Sequence, residues 1–170
     1  MSERILAFDL GTSLGWCALI IDHEAGESIT SGTIKLPPSS HDRTAHLVKS
    51  LVEFQRLINL HRPTIVAYEA VRHIRGVDAT LVWAGLETTL LLACDACDVL
   101  ALGLGVASIK KHATGRGNAD KLAMTTAAMR RWPHWEPGSE DEVDARWVAS
   151  AASVGVAPVS AKHKRSRSNG

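Results

Sequence analysis

The sequence is poor in cysteine and has no long apolar run. Three thiols in 170 residues, Cys17, Cys94 and Cys97, suggest neither a disulfide framework nor secretion. No apolar stretch approaches the roughly 20 residues that a membrane span needs, so no membrane partner is expected. The opening MSERILAFDL sets an acid and a base directly before a strand-like run, which is no signal-peptide pattern. No internal repeat or interior linker is visible. The expectation is one globular domain in the cytoplasm.

What is present is ordinary in bulk and uneven in detail. A hydrophobic share of 45% and a charged share of 22% give a chain of this length enough apolar surface for a core. The net charge of +1 conceals a basic end, AKHKRSRSNG, with Lys162, Lys164, Arg165 and Arg167 and no acid. Setting those four aside from 19 basic residues leaves 15 against 18 acidic, a body at −3. A basic tail on a mildly acidic body suits a polyanion held partly by a flexible arm. The expected division is a folded domain over 1–156 and a flexible tail over 157–170.

Apolar runs bounded by turn residues predict strands at 4–10, 15–21 and 28–36, joined by short turns as an antiparallel meander. Helical spacing at Leu47, Leu51, Phe54, Leu57 and Ile58 predicts a helix over 42–60. A buried strand at 64–69, a long helix at 78–96 and another buried strand at 98–104 follow. Helices are expected at 106–112, 119–131 and 140–153, with disorder beyond Val156. Meander strands followed by crossover units give a mixed five-stranded α/β sheet with helices on both faces.

Four acids stand out. Asp9 lies inside the apolar strand of FDLGTS, where an uncompensated charge is costly. Glu69 ends the buried strand IVAYEA, and strand ends line the ligand crevice of open α/β sheets. Asp141 and Asp144 are three apart at the start of the last helix and can point to one side. Each has a plainer reading. Asp9 can anchor its turn through backbone amides, Glu69 can pair with Arg72 or Arg75, and Asp141 belongs to a helix start where Ser139 and Glu142 fit a capping box. Asp144 begins the apolar stretch DARWVASAA and is harder to explain so. If the Asp9 strand is central and the last helix packs beside it, the four converge, and neighbouring carboxylates then require a compensating cation. Mg²⁺ takes such oxygen ligands and keeps waters and phosphates in its shell, and a pair of such ions supports phosphodiester cleavage.

The segments ILAFDLGTSLGWCAL, IVAYEAV, SIKKHATGRGNADK and EDEVDARWVASAA resemble the RuvC family of Holliday-junction resolvases, particularly its phage-type members, in order and approximate spacing. The resemblance runs from Ile5 to Ala152 and implies a ribonuclease H-like fold. It also implies a structure-specific endonuclease that nicks opposed strands of four-way DNA as a homodimer, in the cytoplasm of a bacterium or phage-infected host. Asp9, Glu69, Asp141 and Asp144 become the implied metal set, for Mg²⁺ with Mn²⁺ as a substitute. Lys110 and Lys121 match the family's two basic residues beside the cleavage site, where a cation can stabilise the phosphate transition state; by charge alone they are solvated lysines. Dimer packing is expected through the 78–96 helix, with Trp83, Leu86 and Leu90 as its apolar face or as intramolecular core.

One departure is local. Family members commonly carry an aromatic residue three positions after the strand-ending Glu, where this chain has Arg72. Arg72, His73 and Arg75 are expected to form a basic DNA contact surface instead, with Lys110, Lys111, Arg116 and Lys121 as further DNA contacts. This leaves branch selectivity open, and a less selective debranching nuclease is one alternative. FDLGTS also resembles the first phosphate loop of the actin and sugar-kinase ATPases, which bind nucleotide between two domains; no nucleotide cofactor is expected in a chain this short. A non-catalytic junction-binding protein is a third reading, against which all four acids are present. Cys94-Asp95-Ala96-Cys97 lacks a second ligand pair and is read as structural thiols. The glycines of TGRGN do not complete a dinucleotide fingerprint, and the turn around Trp132, His134 and Trp135 is expected to pack on the core.

Overall fold

The computed structural model describes residues 2–71, 74 and 76–162. In chain order the strands are β1 (Glu3–Asp9), β2 (Ser13–Asp22), β3 (Gly26–Lys35), β4 (Ile65–Ala70), β5 (Leu100–Gly105) and β6 (Pro158–Lys162). The helices are α1 (Arg43–His61), α2 (Val77–Ala96), α3 (Val106–Thr114), α4 (Lys121–Arg131) and α5 (Glu140–Ser153). The sheet order is β3-β2-β1-β4-β5-β6. β1, β2 and β3 form the antiparallel meander, and β4 and β5 run parallel to β1.

The sheet has six strands, one more than the sequence suggests. β6 pairs antiparallel with β5, so the fold continues past Val156. Without it β5 would be an edge with open amides and carbonyls, which favours recruitment of a further strand. Pro158 hides this strand in the sequence, since proline belongs to edges and first positions. The basic residues Lys164, Arg165 and Arg167 lie outside the described residues.

Alternation along the central strands divides the core. On β1, Leu6 and Phe8 face one way with Val66 and Tyr68 of β4, covered by Phe54 and Leu57 of α1 and Leu86 and Leu90 of α2. Ile5 and Ala7 face the other way with Cys17, Leu19 and Ala67, covered by Ile109, Met124, Val143 and Val148 from α3, α4 and α5. This period of two decides which side chains meet at the strand ends.

The helix ends are specified locally. Asp42 caps α1 by accepting from the Ala45 amide at 2.8 Å, and Asp120 caps α4 by accepting from the Ala123 amide at 2.8 Å. Contrary to the expectation that no apolar stretch approaches a span's length, α2 is long and apolar enough to cross a membrane by length and composition; Leu86, Thr89, Leu90, Ala93 and Cys94 on it are buried within the fold. Leu86 and Leu90 are therefore intramolecular core, with Trp83 packed against it.

Candidate active site

Asp9 follows Ile5 and Ala7 on the α5 side of β1. Glu69 follows Ile65 and Ala67 on the same side of β4. The strands are parallel with Phe8 opposite Tyr68, so Asp9 and Glu69 end adjacent strands side by side. Neither carboxylate has a hydrogen bond among the described residues. The turn-anchor explanation of Asp9 is thereby set aside. The proposed ion-pair partners of Glu69, Arg72 and Arg75, lie outside the described residues, as does His73.

The third component comes from α5. Its inward stripe of Val143, Ala145, Val148, Ala149 and Ala151 packs on β1 and β2, and Asp141 and Asp144 occupy its N-terminal end. Helix capping is carried out by other residues: Ser139 Oγ accepts from the Glu142 amide at 3.0 Å, and the Glu142 carboxylate accepts from the Gly138 amide at 2.9 Å. Glu142 also accepts from Ser31 Oγ of β3 and from Trp135 Nε1 at 3.3 Å. Arg146 donates through Nε to Ser31 Oγ at 2.7 Å and stacks 3.8 Å from the Trp135 ring centroid. This clamp fastens the first two turns of α5 to the sheet. Asp141 is free of the capping task.

Gly15 makes the approach possible. It is the cross-strand partner of Asp9, and a Cβ there would lie 2.0 Å from the Asp141 carbonyl oxygen. Glycine inside a strand pattern is a known mark of close backbone approach, and the sequence reading passed over it.

The electrostatics show that these acids share one field. Burial pushes the Asp9 carboxyl up to about 8, aided by Glu69, Asp144 and Asp141 and opposed by Lys121. Burial pushes Glu69 up to about 7, with Asp144 adding and Lys110 opposing. Asp144 is raised by burial first and then by Asp141 and Glu140, while Lys121 and Lys110 pull it down. The available cations do not balance the acids.

Both implied lysines border the pocket. Lys110 donates to the Ala119 carbonyl at 2.7 Å, tying α3 to the loop before α4. Lys121 bonds Glu140 at 2.5 Å in a pair that is exposed on both sides. Exposed pairs contribute little, so this ammonium can exchange Glu140 for a phosphate. Lys111 is exposed on α3. Arg116 lines a groove between α3, α4 and α5 together with Arg130 and Arg131.

The donor set is all carboxylate oxygen, which fits a hard divalent cation. Among the described residues no group of three His, Cys, Asp or Glu side chains stands arranged to hold a metal ion. The fit is one of charge and donor chemistry. Cys94 and Cys97 are free thiols; burial pushes Cys94 up to about 12, with Cys97 adding to the rise. Trp132 is buried against Trp147 and Trp135 as expected of a core turn, whereas His134 of the same turn is exposed and does not pack on the core.

A mixed sheet with this strand order, covered by helices on both faces, is the ribonuclease H-like fold. No protein-family model matches the chain. Among solved structures it resembles Thermus thermophilus RuvC, with a TM-score of 0.76 and 18% identity over 93% of this chain and 99% of that one. RuvC of the same organism in complex with a Holliday junction substrate gives 0.79 and 18% over 92% and 98%. The yeast mitochondrial Holliday junction resolvase Ydc2 gives 0.63 and 17% over 87% and 76%. The fold is that of the RuvC-type resolvases, and these matches do not favour the actin or sugar-kinase reading.

Proposed function

We propose that the chain is a divalent-metal-dependent endonuclease that resolves four-way DNA junctions by nicking opposed strands as a homodimer. The observation that carries this reading is the placement of Asp9 and Glu69 at adjacent strand ends on the α5 side, with Asp144 near enough that burial first and mutual repulsion second raise all three carboxyls. Such an arrangement is unfavourable for the empty protein and is relieved by a multivalent cation. The fold shared with two junction resolvases supports branched DNA as substrate.

Asp9, Glu69, Asp141 and Asp144 would hold Mg²⁺ or Mn²⁺. A bound pair of such ions supplies an activated water and charge stabilisation at the leaving oxygen. The protein's own part is positional. The Ser139–Glu142–Ser31–Arg146 clamp ties the start of α5 to the sheet and so positions the Asp141 and Asp144 backbones. Lys121, released from Glu140, and Lys110 provide positive charge beside the scissile phosphate.

The dimer surface we favour is the outer stripe of α2. Val77, Leu81, Ala84, Thr88 and Leu92 recur at helical spacing and are all exposed, with Val77 at 75%, Leu81 at 46% and Leu92 at 58%. An exposed apolar stripe on a helix is a usual mark of a protein contact.

The test is end-mapping of products from a labelled four-way junction incubated with Mg²⁺ or Mn²⁺, beside a linear duplex. Paired nicks with 5′-phosphate ends on opposed strands are expected. Indifferent nicking of both substrates would replace resolution by general debranching, and tight junction binding without cleavage would leave a non-catalytic binder.

A further inference from the structure

The carboxylates occupy one end of α5, and a different feature occupies the other. Between α3, α4 and α5 runs an open groove of about 920 Å³, whose floor includes Ile21, Trp147 and Ser150. Ile21 pairs with Glu3 at the start of β1, whereas Asp9 is at its end. None of the four acids lines the groove, whose α5 residues run from Trp147 to Ser153, about 4–13 Å along the helix from Asp144. The groove is separate from the acidic pocket.

Its walls are basic. Arg116, Arg130 and Arg131 line it, and Glu27 is the one acid among its lining residues. Arg131 takes up that acid, donating to Glu27 at 2.7 Å. Arg116 and Arg130 are exposed, and neither guanidinium has a hydrogen bond or ion pair among the described residues. Arg116 is also held in place by its backbone. Its amide donates to Thr114 Oγ1 at 3.2 Å, and the same hydroxyl donates to the Arg116 carbonyl at 3.1 Å. Beside them His112 is hydrogen bonded to Ser150 Oγ at 2.9 Å. On a body that is acidic overall, two unpaired guanidinium groups in a polar-walled channel are a local reversal of sign.

We infer that this groove binds the sugar-phosphate backbone of a duplex arm leaving the cleavage site, with Arg116 and Arg130 as the phosphate contacts. The inference rests on the nuclease reading for its substrate, but it concerns a groove lined by none of the four acids or the two lysines. One strand advances about 3.4 Å per nucleotide, so backbone held at the carboxylates reaches along the groove within about four nucleotides. Guanidinium groups suit this task because their planar forks match phosphate oxygens. Contacts of this kind set register without reading sequence.

The experiment is fluorescence anisotropy of the full chain with a four-way junction and with linear duplex, without divalent ions, across a potassium chloride series. R116A/R130A is expected to weaken binding about tenfold at moderate salt and to flatten the log-log salt slope by about 1.8, or 0.9 per lost phosphate contact. R116K/R130K, which keeps the charges, is expected to retain the slope. A folded alanine variant with unchanged affinity and slope overturns the proposal, as does a lysine variant that loses as much as alanine. Wild-type protein that binds DNA but fails to cut with Mg²⁺ refutes the nuclease reading while the salt slope still decides the groove. Wild-type protein that binds neither DNA overturns both.

Discussion

Gly15 and Asp141 are in backbone contact: a methyl group on Gly15 would sit 2.0 Å from the Asp141 carbonyl oxygen. Gly15 also stands directly across from Asp9, so one glycine sets the distance between the strand-borne and helix-borne acids. G15A must push α5 outward, because its clash is with backbone and not with a flexible side chain. Overpacking of this kind costs about 1–3 kcal/mol, or roughly 2–12 °C in melting temperature at about 2–4 °C per kcal/mol. Displacement of the acids by an ångström lowers cleavage about 100-fold. Thermal unfolding and single-turnover cleavage of the variant measure both effects.

The raised carboxyls predict how the metal-free protein responds to pH. Asp9 rises from 3.8 to about 8 and Glu69 from 4.5 to about 7 on folding. An acid raised by folding contributes stability that is complete below its unfolded value and lost as pH climbs through its folded value. The protein in chelator is therefore most favoured by these groups near pH 4 and loses their contribution between about pH 4 and 8, at about 1.4 kcal/mol per unit of separation. D9N, which cannot ionise, is expected to melt higher than wild type at pH 8.5 and to lose less between pH 5 and pH 8.5. Equal pH dependence in the two proteins would show that Asp9 is not held as described.

Much of this site is legible in the sequence because it violates local rules. A charge in the apolar run of β1 and another at the end of β4 are visible, and a period of two places both on one face. The Ser139–Glu142 helix start is also visible, but the sequence leaves Asp141 a second capping candidate, whereas the structure assigns capping to Ser139 and Glu142. The clamp through Ser31 and Arg146 joins residues 115 apart, and no local pattern announces such a pairing. β6 was hidden for another reason. A short strand containing proline and flanked by basic residues has little periodicity, and its pairing depends on an edge that exists only in the folded sheet. Helical spacing in α2 cannot separate core from interface; burial assigns Leu86 and Leu90 to the core and leaves Leu81 and Leu92 outside.

Lys121 and Lys110 should separate binding from chemistry. K121M removes an exposed charge whose bond is to Glu140, so folding is expected to be unaffected. Cleavage should fall about 100-fold or more, in the range seen when a transition-state donor is removed, while junction affinity falls only severalfold. K110M also loses the bond to the Ala119 carbonyl and should show a lower melting temperature as well. A K121M protein with wild-type single-turnover rates would remove this lysine from the site.

The outer stripe of α2 predicts assembly. L81E/L92E places two charges on exposed positions and leaves the intramolecular core untouched. Sedimentation is expected to show a dimer for wild type and a monomer for the variant, with loss of paired nicking on opposed strands. A variant that stays dimeric would move the interface elsewhere.

The most direct measurement is calorimetric titration of Mn²⁺ into metal-free protein, for wild type and for D9N, E69Q and D144N. If acids from β1, β4 and α5 form one cation pocket, wild type binds the ion with release of protons near pH 7, and each substitution weakens binding at least tenfold. Wild-type protein that takes up no Mn²⁺, or three variants that bind it unchanged, would contradict the account.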